Sequence, residues 1–133
     1  MSGSDIHGLV EAARTARAFA IAPYSHFKVG AALLSVDGQV FSGCNIENAS
    51  YGLTVCAERV ALFKALSEGV RDFTMIAVVI DTGAPTPPCG ACRQFLWEYC
   101  GDLPVVLANL EEIIGQHTLK ELLPHPFDKR LLK

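Results

Sequence analysis

Two hydrophobic patterns dominate the first 44 residues. The elements that they predict are a helix over 4–20, a strand over 27–36 and a second strand over 39–44. Leu9 and Ala13 belong to an apolar series at helical spacing, and Arg14 and Arg17 face away from it. The dipeptide Asp37-Gly38 between the strands is typical of a two-residue hairpin turn. The chain therefore begins with a helix and an antiparallel pair, and a polar loop over 45–52 follows.

The rest of the chain alternates between helical and strand-like segments. Predicted in order are a helix over 55–68, a strand over 73–80, a helix over 89–100, a strand over 105–108, a strand over 113–117 and a short last helix. Thr54 and Gly69 fit the two ends of the first of these helices. The 73–80 segment is apolar without alternation, which is typical of a strand buried on both faces. Thr118 and Glu121 match a capping box.

This order of elements predicts the fold class. Strands that alternate with helices require parallel crossovers, whereas the early hairpin requires an antiparallel pair. The chain shows no internal repeat or linker, and 133 residues suit one domain. We therefore expect an α/β fold with a single domain over 1–133, in which helices cover both faces of a mixed five-stranded sheet.

Amino-acid composition indicates where the protein is located in the cell and whether it associates with itself. The hydrophobic fraction is 50% and the mean hydropathy is +0.30, which favours self-association. No apolar run reaches the roughly 20 residues of a membrane span, and the N-terminus does not resemble a secretory signal. Five cysteines are an odd number for a disulfide framework. We expect a cytoplasmic protein with metal-binding or free thiols and no membrane partner.

Charge argues against a nucleic-acid partner. The net charge is −3, the pI is about 5.7, and the basic residues are scattered. The chain also lacks a glycine-rich phosphate loop. A nucleotide-like ligand would therefore be a small nucleoside without its phosphate.

Three cysteines are candidate metal ligands. Cys89 and Cys92 are three residues apart at the start of a predicted helix, and Cys56 lies in the first turn of another. Helix N-termini favour thiolate, the form of cysteine that binds metals. Three protein ligands with one open position are the pattern of a catalytic Zn²⁺ site, in which zinc lowers the pKa of a bound water to about 7. We expect one zinc ion per chain.

Glu58 and Arg59 complete this candidate site. Glu58 lies two residues after Cys56 and could carry protons beside the activated water, although the spacing alone does not single it out. Three thiolates leave a net charge of −1 on a zinc site, so a positive group is needed nearby. Arg59 and the two helix N-termini are candidates, and Arg93 is a weaker one.

A family resemblance joins these residues to others along the chain. The motifs that carry it lie at residues 22–25, 27–32, 43–51, 56–59 and 88–94. Cys56-Ala57-Glu58 followed by Pro88-Cys89 and Cys92 matches a cysteine variant of the zinc deaminase signature. In order and over nearly the whole chain, the motifs resemble those of the small homotetrameric cytidine deaminases.

The resemblance implies an activity and a set of roles. The reaction would be hydrolytic deamination of cytidine and 2′-deoxycytidine to the uridine nucleosides and ammonia, in pyrimidine salvage, with Glu58 as the proton shuttle. The resemblance further implies a three-layer sandwich and a homotetramer with its sites near subunit interfaces. The implied substrate-binding residues are Phe27 stacking on the base, Ala57 at the base edge, Asn45 and Glu47 on the ribose, and Tyr51 and Phe127 reaching towards a neighbouring subunit's site.

Other interpretations stay open at this point. Blasticidin-type nucleoside-antibiotic deaminases share the cysteine and glutamate motifs. A structural zinc or thiol-redox module, with Cys89 and Cys92 as a redox pair, would need no hydrolysis. Cys44 and Cys100 are expected to be small buried hydrophobic residues.

Overall fold

The computed structural model describes residues 3–50, 53–80 and 90–122. Within them the chain forms four helices and five strands. These are α1 (Gly3–Arg17), β1 (Val29–Ser35), β2 (Val40–Cys44), α2 (Ala57–Ser67), β3 (Phe73–Ile80), α3 (Gly90–Cys100), β4 (Pro104–Ala108), β5 (Ile113–Thr118) and α4 (Leu119–Leu122). Each predicted element is present, and β3 has the predicted bounds.

The strands form one mixed sheet in the order β2-β1-β3-β4-β5. β1 pairs antiparallel with β2 and with β3, β3 pairs parallel with β4, and β4 pairs antiparallel with β5. The parallel pair joins β3 to β4 through α3, as a crossover requires. The expected single-domain mixed sheet is confirmed.

Alternate residues of the central strands feed two separate cores, as the pleat of a strand requires. Ile76 and Val78 of β3 pack in the core under α2 and α3, and Met75 and Ala77 pack in the core under α1. Helices therefore cover both faces of the sheet, and the run of apolar residues in β3 is explained.

Two glycines allow helices to lie close against the sheet. A Cβ atom on Gly30 would lie 2.0 Å from the Ala13 carbonyl oxygen of α1. A Cβ atom on Gly43 of β2 would lie 2.7 Å from both the Ala57 carbonyl oxygen and the Ala61 nitrogen of α2. Gly43 therefore permits the position that the first turn of α2 adopts over the sheet edge.

Some boundaries differ from those expected from the sequence. α1 ends at Arg17, three residues early, because the next three N–H groups bond to carbonyls three residues back rather than four. The hairpin loop has three residues: the Gly38 N–H donates to the Ser35 carbonyl, and Gly38 takes the positive φ of 91° that this longer turn requires.

The ends of α2 and α4 also test the capping predictions. Thr54 does not cap α2: the N-cap is Cys56, and the Thr54 hydroxyl instead accepts a hydrogen bond from the Asn48 N–H at 3.0 Å. The capping box of α4 is confirmed, since Thr118 and Glu121 each accept the other's backbone N–H in their side chains. No helix in the described ranges is long and apolar enough to cross a bilayer.

Candidate active site

The start of α2 carries the predicted residues Cys56, Ala57 and Glu58 at the sheet edge. Cys56 is the N-cap residue, with φ −77° and ψ 154°, and makes no side-chain capping bond. Ala57 is fully buried and Glu58 is 4% exposed. A carboxyl group is thus enclosed at the positive end of a helix, next to a cysteine.

Burial changes the acidity of this carboxyl. Loss of solvation raises the pKa of Glu58 to about 7, and the neighbouring Cys56 adds to the rise. The backbone N–H of Glu58, a hydrogen bond with Cys92 and the charge of Arg59 oppose the rise. A cation bound by the adjacent sulfurs would also lower this pKa. Burial therefore brings the pKa of Glu58 close to neutral when no such cation is bound.

Arg59 supplies the expected positive charge. Its Nη2 lies 3.6 Å from Cys56 Sγ and 3.4 Å from the Thr54 carbonyl oxygen, and its guanidinium carbon lies 6.0 Å from the centre of the Phe95 ring. Bonding to Cys56 raises the pKa of Arg59, and the charge of Cys92 contributes. The Arg59 Nε is buried and has no hydrogen-bond partner within the described ranges.

The structure brings Cys56 and Cys92 to the same place. Cys92 is fully buried in the first turn of α3, and it interacts with both Glu58 and Arg59 of α2. Cys89 lies outside the described residues, and within them no three metal-binding side chains form a group. Two thiols at two helix N-termini beside a guanidinium are donors that suit Zn²⁺, so the described part of the site fits the metal.

A cavity opens in front of α2. Its volume is about 450 Å³, within the range of small-molecule sites. The residues that line it are Ser25, Phe27, Val29, Asn45, Glu47, Thr54, Cys56, Ala57, Glu58, Val78 and Ile80. The predicted residues Phe27, Asn45, Glu47 and Ala57 therefore share one cavity with Cys56 and Glu58.

Asn45 joins the loop after β2 to the start of β1. Its Oδ1 accepts the Val29 N–H at 2.9 Å, and its Nδ2 donates to the Phe27 carbonyl oxygen at 2.8 Å. One N–H and one lone pair of the amide remain for a ligand. Asn45 is buried, so these bonds fix the backbone on both sides of Lys28.

Glu47 is held by the loop that precedes Phe27. Its Oε1 accepts the N–H groups of Tyr24 at 3.0 Å and Ser25 at 3.1 Å, and its Oε2 accepts the Ser25 hydroxyl. The Ser25 hydroxyl is the largest cause that lowers the pKa of Glu47, and the two backbone donors contribute. This partly buried carboxylate is thus held ionised in one orientation.

The remaining predictions have mixed outcomes. Tyr51, Phe127 and Cys89 lie outside the described residues. Cys44 and Cys100 are only partly buried, so the prediction that both are buried is wrong: both lie at the ends of elements, where packing is incomplete.

Five cavity-lining positions had no predicted role in the site: Ser25, Val29, Thr54, Val78 and Ile80. Ser25 belongs to a motif that carries the family resemblance, and Val78 and Ile80 end a buried strand. The end of a strand next to a helix N-terminus is the available signal for a site, because such edges commonly hold ligands.

Comparison with known proteins agrees with this geometry. Residues 4–108 match the model of the cytidine and deoxycytidylate deaminase zinc-binding region. A cytidine deaminase of Halalkalibacterium halodurans is 60% identical over 90% of this chain and 91% of its own. One from Sporosarcina psychrophila is 52% identical over 94% of this chain and 93% of its own. A crystal structure of cytidine deaminase from Burkholderia pseudomallei, 53% identical, superposes with a TM-score of 0.87 over 96% of this chain and 100% of that one.

The match covers the elements that carry Cys56, Glu58 and Cys92, and the likeness to the solved structure extends over the whole sheet. Family and fold thus agree with a cavity lined by Glu58 and Cys56, with Cys92 in contact with Glu58. The chain therefore belongs to the cytidine and deoxycytidylate deaminase family, and it is a hydrolase with zinc as its cofactor.

Proposed function

We propose that this chain deaminates cytidine and 2′-deoxycytidine to uridine and 2′-deoxyuridine, with release of ammonia. The observation that carries the proposal is the single cavity in which Glu58 and Cys56 lie together with Phe27, Asn45 and Glu47. Such a cavity offers a proton carrier at one place and polar groups for a sugar at another. The names of the relatives at 52% and 60% identity support the choice of substrate.

Glu58 moves the protons of this reaction. Water adds to C4 of the base, the C4–N4 bond breaks, and the amino group leaves as ammonia while C4 becomes a carbonyl. Glu58 takes a proton from the attacking water, delivers it to N3 and then assists the departure of the amine. A pKa raised towards 7 by burial suits a group that both accepts and donates.

Cys56, Cys89 and Cys92 are the proposed ligands of one zinc ion. When bound, the zinc supplies the Lewis acidity that makes water nucleophilic at neutral pH. Arg59, within 3.6 Å of Cys56 Sγ, offsets part of the negative charge of the thiolates. The contacts of both described cysteines with Arg59 and Glu58 support this assignment.

Recognition of the nucleoside is divided between two kinds of group. Phe27 is 41% exposed and lines the cavity, so its ring is available to stack on the base. Asn45 and Glu47 bind ribose hydroxyls with the polar capacity that their backbone contacts leave. The backbone around Ala57 contacts the base edge.

Assembly and location complete the proposal. Large apolar side chains near the cavity, including Ile21, Ile46 and Leu53, are exposed in the isolated chain. We propose a cytoplasmic homotetramer of pyrimidine salvage that covers such surface, in which Tyr51 and Phe127 reach a neighbouring subunit's cavity. A monomeric mass by light scattering would contradict the assembly.

An absorbance assay with cytidine tests the activity. Loss of the cytidine absorbance is expected with the zinc-loaded protein, and a strong chelator should abolish it. Metal analysis should find about one zinc per chain. Comparing turnover of blasticidin S with that of cytidine distinguishes a nucleoside-antibiotic deaminase from a cytidine deaminase. A metal-free protein with a Cys89–Cys92 disulfide and no turnover would favour the redox module.

A further inference from the structure

The Ser25 hydroxyl connects two groups that line the cavity. It donates to Glu47 Oε2, and it accepts the N–H of Phe27 at a distance of 3.0 Å. Ser25 also lines the cavity itself. One hydroxyl group therefore bridges a carboxylate and the backbone that carries an aromatic ring.

The backbone between these groups has an uncommon conformation. His26, between Ser25 and Phe27, has a φ of 59°, in the left-handed region that non-glycine residues rarely occupy. Its N–H donates to the Ala22 carbonyl at 3.0 Å, which closes the turn. The Phe27 carbonyl is held separately by Asn45 at 2.8 Å. The peptide groups on both sides of Phe27 are therefore fixed, one through Ser25 and the other through Asn45.

We propose that Ser25 is a positioning residue that aligns Glu47 and Phe27 together for nucleoside binding. The inference rests on the proposed function, which assigns Glu47 to the ribose and Phe27 to the base. Neither side chain is held in place by the other directly. Ser25 is the group that sets the carboxylate and the ring in one fixed relation.

The hydrogen-bonding capacity of the three groups explains how this works. A hydroxyl has one proton to donate, and that proton goes to Glu47 Oε2. Oε1 already accepts two backbone N–H groups, so Oε2 keeps a lone pair for a ligand hydroxyl. Without the Ser25 hydroxyl, the carboxylate is held through Oε1 alone, Oε2 loses the donor that orients it, and the Phe27 N–H loses its partner. A ligand would then have to order both groups when it binds.

Because Ser25 is exposed, we expect its loss to weaken nucleoside binding more than it lowers the stability of the fold. Ser25, Glu47 and Phe27 are open to water in the free protein, so the loop bonds add little to stability. A nucleoside in the cavity would exclude that water and strengthen the bonds. The Michaelis constant should respond to Ser25, whereas the turnover number should not.

The experiment compares Ser25→Ala, Ser25→Thr and the matched control Ser35→Ala. Ser35 also bridges a carboxylate and a backbone N–H, those of Asp37 and Gln39, but it does not line the cavity. With zinc-loaded protein and cytidine, Ser25→Ala should raise KM about tenfold, the effect of one charge-assisted hydrogen bond, with kcat within about twofold. Ser25→Thr should restore most of KM, and Ser35→Ala should lower the thermal midpoint without changing KM.

A double-mutant cycle with Glu47→Gln tests the route. If Ser25 acts through Glu47, the KM increase from Ser25→Ala should be much smaller in the Glu47→Gln background than in the wild type. An unchanged KM in Ser25→Ala, or effects that simply multiply, would overturn the inference while cytidine turnover by the wild type leaves the proposed function standing. Absence of wild-type turnover would overturn both.

Discussion

The cavity contains two carboxylates whose surroundings push their acidities in opposite directions. Glu58 is buried at the start of α2, where loss of solvation raises its pKa to about 7. Glu47 is only partly buried on a loop, where the Ser25 hydroxyl and two backbone N–H groups lower its pKa. Carboxyl groups separated in this way can serve different roles at one pH. This difference matches the roles that we propose, proton transfer for Glu58 and acceptance of hydrogen bonds for Glu47.

The two regions also differ in how they are built. Cys56, Glu58 and Cys92, which we propose for metal binding and proton transfer, lie at helix N-termini that pack against the sheet, so core packing fixes their positions. The groups that we propose for nucleoside recognition lie on loops, where the side chains of Glu47 and Asn45 form hydrogen bonds with the backbone of residues about 20 positions away. We therefore expect changes near Glu58 to act on turnover and stability, and changes near Glu47 to act on binding.

The largest expected effect comes from Glu58→Gln. The amide keeps the size of the side chain but cannot shuttle protons, so kcat should fall about 10²- to 10⁴-fold. Bound zinc should remain at the wild-type level, because the proposed ligands are unchanged. Steady-state kinetics with cytidine and metal analysis are the measurements, and Glu68→Gln at the exposed end of the same helix is the control. Full activity in Glu58→Gln would contradict the proposed proton-transfer role that distinguishes Glu58 from Glu47.

Packing of α2 against the sheet gives the next largest effect. In Gly43→Ala the new methyl group would meet the Ala57 carbonyl and the Ala61 nitrogen at 2.7 Å, so α2 must shift. Such overpacking typically costs about 1–3 kcal/mol of unfolding free energy, and the displaced first turn should also lower kcat. Denaturant unfolding and kinetics measure both effects.

The control for that variant is Gly8→Ala in α1. A methyl group there meets nothing within 4 Å, and alanine favours a helix, so stability should rise by about 0.5–1 kcal/mol with unchanged kinetics. Equal stability of Gly43→Ala and the wild type would show that close packing does not hold the first turn of α2 in place.

A smaller effect, on binding, is expected from Asn45→Asp. The substitution replaces the donor that faces the Phe27 carbonyl, 2.8 Å away, with a second acceptor. Repulsion between the two oxygens should displace the loop and raise KM for cytidine about tenfold, more than it lowers kcat. Asn48→Asp is the control. The described side-chain hydrogen bond of Asn48 uses only the amide oxygen, which accepts the Ser50 N–H and is kept in aspartate. A loss confined to kcat would place Asn45 with Glu58 rather than with Glu47.

The sequence predicted the region around Glu58, which is built on helices, better than the loop region around Glu47. Strand β3 and the presence of the helices follow from local patterns, because helix and strand periodicity act over a few residues, whereas Glu58 was assigned from the family resemblance and not from spacing. No local pattern predicts the hydrogen bonds between distant positions. Examples are those of the Asn45 side chain with the Phe27 and Val29 backbone, and that of Glu47 with the Ser25 N–H. Even the incorrect N-cap at Thr54 has this origin, because its hydroxyl is bonded to Asn48 in the neighbouring loop.

The smallest expected effect is an absence of pH dependence. Because three donors lower the pKa of Glu47, its carboxylate stays ionised well below neutral pH and keeps accepting a ligand hydroxyl. The ratio of the uridine inhibition constants of Glu47→Gln and the wild type should therefore change less than about threefold between pH 8 and pH 5.5, because any titration of Glu58 affects both proteins alike. Glu47→Gln should bind uridine more weakly by the same factor at every pH in this range. Weakening at pH 5.5 in the wild type that is missing in Glu47→Gln would mean that Glu47 titrates there. The two carboxylates would then no longer differ in the way that their burial and hydrogen bonds require.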